Sequence, residues 1–198
     1  MLGLKQFSKV LSLSDGNRRV KEQKNTDRKL KFDPDNTGLV LHEDKYLETN
    51  PSLERQANTK RLVERLKAKE LLIVNPRRKN GLIIYKKYHA EFAGPGAIVG
   101  GQFDLDVTNV MSVGNISLVV PQDSQAKKQA YKMRRQWVRL TKQIIDNPNP
   151  AERAQVILNQ FEHWFDMETV ADLPDQAFAL LVGVLPQTIR KVRYIELL

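Results

Sequence analysis

The apolar positions along this chain change their period several times, and each change marks a different kind of element. From Asn50-Pro51 to about Lys69, the residues Leu53, Ala57, Leu62 and Leu66 make a thin apolar side. Lys60, Arg61, Arg65, Lys67 and Lys69 make a basic one, which predicts a helix capped by Asn50 and opened by Pro51. Two β-prone runs follow, LLIV (71–74) and LIIY (82–85), joined by NPRRKNG. An Asn-Gly turn between such runs predicts a hairpin, with Arg77, Arg78 and Lys79 at its tip. Residues 94–121 read as wholly β, with AIV, FDLDV and ISLVV separated by Gly and Asn turns.

At Gln122 the period becomes helical and stays so to Asp146. Ala130, Met133, Trp137, Leu140 and Ile144 step by three and four, the spacing of a coiled-coil seam. Lys127, Lys128, Lys132, Arg134, Arg135, Arg139 and Lys142 cover the other faces. Such a seam either pairs with its copy in a second subunit or packs on the β block, and so narrow a stripe favours pairing. Asn147-Pro148 stops the helix. Asn149 and Glu152 form a capping-box-like start for another, which buries Ala154, Ile157, Phe161 and Trp164 or Phe165 and ends near Asp166.

The last stretch, DQAFALLVGVLPQTIRKVRYIELL (175–198), predicts two helices across a tight turn. The first runs from Asp175 to Val182, Gly183 supplies the left-handed turn, and the second restarts at Pro186. Ala179 is small where the helices cross, and Phe178, Val182, Val184, Ile189 and Val192 are the apolar faces. Gln187, Thr188, Arg190, Lys191 and Arg193 are left pointing outward, with side chains suited to base edges and phosphates. The alternative is plain packing of two short helices, and Leu185 speaks for it, since a polar cap is the stronger choice before a helix.

Charge changes the picture in one respect. The net charge of +9 favours an acidic partner, but residues 91–121 carry no Lys or Arg and the last 52 residues are net acidic. Any phosphate grip at the C-terminal end therefore falls to Arg190, Lys191 and Arg193, with the Arg77–Lys79 tip as a secondary phosphate contact if it acts as a winged-helix wing. An ordinary exposed hairpin is the alternative there. Residues 15–36 alternate charges without apolar periodicity and read as an exposed arm. Leu4, Phe7 and Leu11 suggest one side of a short helix, docked on the core or on a membrane surface, and Leu39–Leu41 a short strand.

Chemistry-bearing constellations are few. The chain has no cysteine, which excludes disulfides and thiolate zinc sites. The GPGAIVGG run lacks the Lys-Ser/Thr ending of a phosphate loop. His42-Glu43-Asp44 cannot converge on one metal in a strand or helix, and His89 with Glu91 shares a strand face. His163 is a lone histidine, and Asp104 with Asp106 would share a β face. These patterns predict no enzyme, no metal and no cofactor. No apolar run approaches the roughly 18 residues a membrane span needs, and a cytoplasmic protein is expected.

The order of elements resembles the Crp/Fnr-like transcription regulators. The residues that carry the likeness are ALLVGVLPQTIRKVR (179–193), AERAQVILNQF (151–161) and, faintly, GPGAIVGG (94–101) with ISLVVPQDSQ (116–125). The resemblance implies binding of double-stranded DNA by a homodimer. No Gly-Glu plus Arg-Ser/Thr phosphate cassette lies between Gly101 and Asn115, so the family's cyclic-nucleotide chemistry is not implied. The expected fold is α+β: a basic arm (1–49), a helix plus a β-roll-like or hairpin-rich block (50–121), a long helix (122–146), and a helical unit with a C-terminal helix-turn-helix (147–198). A protein-interaction module that binds an acidic partner through its basic helices is the rival reading. RNA binding through residues 1–90 is a third, weakened by sparse aromatics.

Overall fold

The computed structural model describes residues 51–195, so the basic arm, the Leu39–Leu41 strand, His42-Glu43-Asp44 and the Leu4–Leu11 helix lie outside the described residues. Those described form an α+β fold with six helices and two three-stranded antiparallel sheets. Helix α1 (Pro51–Lys67) ends where Lys69 takes a left-handed φ of 65°, and its Leu66 is fully buried.

Strands β1 (Leu71–Val74) and β2 (Gly81–Tyr85) do not form the expected hairpin. Each is instead the centre of its own sheet. β1 lies between β4 (Ile98–Gly100) and β6 (Leu118–Val119), and β2 lies between β3 (Ala90–Ala93) and β5 (Asn109–Val113). The physical reason is in their composition. LLIV and LIIY are continuous apolar runs whose two faces are both buried, which suits the interior of a packed sheet better than a hairpin with one face in water. Asn80-Gly81 is correspondingly not a mirror-image turn. Asn80 is buried and its Nδ2 donates to the carbonyls of Asn75 and Arg78, closing a corner between the sheets. Gly81 is required because a Cβ there would meet the Phe92 ring at 2.4 Å. The FDLDV run also departs from expectation, since residues 101–106 turn rather than extend.

Helix α2 (Ser124–Ile145) is capped by Asp123, whose side chain accepts from the Ala126 N–H at 2.6 Å. Every member of its predicted seam is buried, but within this chain. Trp137 meets Phe92 of β3 edge-on at 5.3 Å and Trp164 at 4.2 Å, and donates from Nε1 to the Pro95 carbonyl. The seam therefore packs on the β block and on the next helix, and does not wait for a second subunit. Two apolar surfaces already adjacent in one chain bury each other without the entropic cost of association.

Helix α3 (Pro150–Trp164) starts as predicted. Asn149 caps the Ala151 N–H, and Glu152 accepts from the side chains of Asn147 and Asn149. A five-residue helix, α4 (Met167–Ala171), follows on an Asp166 cap and was not legible in the sequence. Helices α5 (Asp175–Val182) and α6 (Pro186–Ile195) complete the fold. Phe161 bridges Phe92 and Phe178, each at 4.9 Å, so one core runs continuously from Leu66 to Val192. Among the described residues no helix is long and apolar enough to cross a membrane.

Candidate nucleic-acid interface

The α5–α6 pair is built as its sequence predicts. Gly183 has φ 63° and ψ 46°, and a Cβ there would meet nothing within 4 Å. Glycine is therefore used for its backbone freedom and not to make room. The N–H groups of Gly183 and Val184 both donate to the Ala179 carbonyl, which ends α5 sharply. Phe178, Ala179, Val182, Ile189 and Val192 are buried between the two helices and α3, and Val184 is half-buried. Thr188 N–H donates to the Leu185 carbonyl at 2.9 Å to begin α6.

The outward face of α6 carries Gln187, Arg190, Lys191 and Tyr194, all exposed. Their spacing of three, one and three places them on a single side of the helix. The Arg190 side chain is 64% exposed, with Nε at 3.3 Å from the Asp175 carboxylate. Two of the predicted contacts sit differently. Thr188 is half-buried. Arg193 turns inward: it donates to the carbonyls of Val170 and Leu173, pairs with Asp175 at 3.3 Å and lies 5.0 Å from the Phe178 ring centre. It locks α6 to the α4–α5 connection and is not on the outer ridge. Leu185, which counts against a polar cap in the sequence, and Tyr194, which no sequence pattern singles out, are both exposed.

The Arg77–Lys79 corner is exposed as predicted, but it connects two sheets and is not the tip of a wing hairpin. It lies beside the α3–α4 junction: hydrogen bonds from Thr169 chiefly, with Lys79 nearby, hold the Asp166 carboxyl below the usual range.

A buried charge cluster went unread in the sequence. Arg134 and Asp104 are fully buried and 3.1 Å apart, and the same guanidinium reaches Glu91 at 2.6 Å. Lys86 pairs with Asp104 at 3.4 Å and with Asp106, whose carboxyl it holds low by a direct hydrogen bond. Asp104 also accepts from the Gly100 N–H at 2.7 Å. Asp104 and Asp106 thus meet at Lys86 from a turn, not from a β face. His89 stands 3.4 Å from Glu91 at the exposed rim of this cluster, and His163 is exposed elsewhere. The described residues contain no group of acids and histidines arranged to hold a metal.

A second apolar row on α2 lies one residue beyond the buried seam. Tyr131, Val138 and Ile145 recur every seven residues, with Val138 37% and Ile145 42% exposed. Val138 and Ile145 border an open groove of about 390 Å³ whose other walls include Tyr88, Leu180 and Val184. No family model, curated protein or solved structure matches the chain.

Proposed function

We propose that this chain is a non-enzymatic, sequence-specific DNA-binding transcriptional regulator of the Crp/Fnr-like kind. It acts in the cytoplasm as a homodimer and lays α6 in the major groove. The observation that carries the reading is the sidedness of α6: Ile189 and Val192 face inward, while Gln187, Arg190 and Lys191 face solvent on a helix set by a glycine turn. Amide and guanidinium groups on one ridge match the donor and acceptor edges of bases and the flanking phosphates. The dimer is supported by Val138 and Ile145, which continue the heptad spacing of the half-buried Tyr131 and are partly exposed.

A second reading has one observation in its favour. Lys128, Lys132, Arg135 and Arg139 are all exposed along α2, a face that suits an acidic protein. Selection of duplexes from a random library at two salt concentrations separates the readings. A DNA-binding dimer enriches a motif with two-fold symmetry, whereas the acidic-partner module enriches none.

A further inference from the structure

Leu185 is an exposed apolar side chain just before the helix that carries the polar ridge. It is 68% exposed, directly before Pro186 at the start of α6, and it is absent from the buried core that its neighbour Val184 packs against. The helix start is closed by its backbone carbonyl, which accepts from Thr188, and that bond is independent of the side chain. The side chain therefore contributes little to the fold, yet it replaces the polar residue that ordinarily caps a helix. Its location gives it another use. A helix docked in the major groove brings its N-terminal residues to the base edges. The apolar group that base pairs display in that groove is the 5-methyl of thymine. Gln187, two residues on and also exposed, has the amide geometry that bonds adenine N6 and N7 together.

We propose that Leu185 is a specificity-determining contact to a thymine methyl, with Gln187 reading adenine beside it, so that each half-site holds A·T pairs under the start of α6. This inference rests on the DNA-binding reading above and deepens it. The test uses the full chain and the duplex site it selects. Each thymine of one half-site is replaced in turn by deoxyuridine, which removes only the methyl group, and affinity is measured by gel shift at fixed salt.

At one thymine the wild-type protein should lose about fourfold in affinity, the worth of one buried methyl. Leu185→Ala, which alters an exposed residue and keeps the same melting temperature, should no longer sense the replacement. Lys191→Ala should bind more weakly but keep the sensitivity. If no thymine matters to the wild type, or Leu185→Ala retains the loss, the assignment of Leu185 is overturned while DNA binding stands. If the wild type selects no duplex sequence at all, both fall together.

Discussion

Arg153 Nη2 donates to the Gly183 carbonyl at 3.1 Å, and Nη1 of the same guanidinium reaches the Asn147 carbonyl at 3.2 Å. One side chain thus ties the turn of the C-terminal helix pair to the end of the long helix α2. Hydrogen bonds to a charged donor contribute about 1.5–3 kcal/mol each, less where water competes. Arg153→Ala should lower stability by about 1–2 kcal/mol in urea denaturation. Arg153→Lys should recover only part of this, because a single ammonium cannot span both carbonyls. Equal stability of all three proteins would show that the tie carries no energy.

Glycines 183 and 100 should respond very differently to one added methyl. At Gly183 a Cβ meets open space, so Gly183→Ala meets only the left-handed backbone, at a cost of about 1–2 kcal/mol, and Gly183→Asn less. At Gly100, with φ 85°, a Cβ would sit 1.8 Å from the Glu70 carbonyl oxygen, so Gly100→Ala should not yield folded protein. Thermal melts of the three variants check the order.

The Arg134–Asp104 pair is fully buried, so removing one partner leaves a buried charge with one counter-charge fewer, Glu91 alone for Arg134 or Lys86 alone for Asp104. Asp104→Ala should cost about 3–5 kcal/mol. The double variant Asp104→Leu with Arg134→Met should cost less than the two single changes added together, because no unpaired ion remains from this pair. Strict additivity in a double-mutant cycle would mean that the 3.1 Å approach is not an energetic coupling.

These cases mark how far the sequence could be read. Local periodic signals were legible: the seam from Ala130 to Ile144, the face from Ala154 to Phe165, and the turn at Gly183 are set by residues within one or two helical turns of each other. Non-local choices were not. Nothing near LLIV says that its partners lie at 98–100 and 118–119, and the lack of alternation in it and in LIIY marks burial of both faces without naming an edge partner. Arg134 and Asp104 are 30 residues apart, and only the folded turn at 101–106 brings them together. Arg193 looked outward because its helical position borders the exposed face. The carbonyls of Val170 and Leu173, at and just beyond the end of a helix the sequence did not announce, accept from it and hold it inward.

Asp166 makes acid sensitivity a local test. Its side chain caps α4 by accepting from the Thr169 N–H at 2.7 Å, and that bond, with Lys79 as a lesser influence, lowers its pKa. A pKa depressed in the folded state gives stability that is fully present above the unfolded value, about 3.9 for aspartate. That contribution is lost as pH falls through the folded value. An NMR titration should therefore place the Asp166 midpoint below that of a free aspartate. Asp166→Asn keeps a capping oxygen but cannot titrate, so this part of the acid response should vanish in it. A midpoint at or above the free value would contradict the cap.

The proposed homodimer stands or falls on α2. Its buried seam is taken up inside the chain, so pairing must use the row one residue further on, where Val138 and Ile145 are partly exposed. Charged side chains there leave the interior untouched but oppose two such helices, which Arg135 and Lys142 beside the row already make basic. Sedimentation at micromolar concentration should show the wild type as a dimer. The Val138→Lys, Ile145→Lys variant should sediment as a monomer with an unchanged melting profile at low concentration. Its affinity for a two-fold symmetric site should fall, since one recognition helix then binds without the other, while its affinity for a single half-site should not. A wild type that sediments as a monomer even on the symmetric duplex would remove the dimer and leave α6 to act alone.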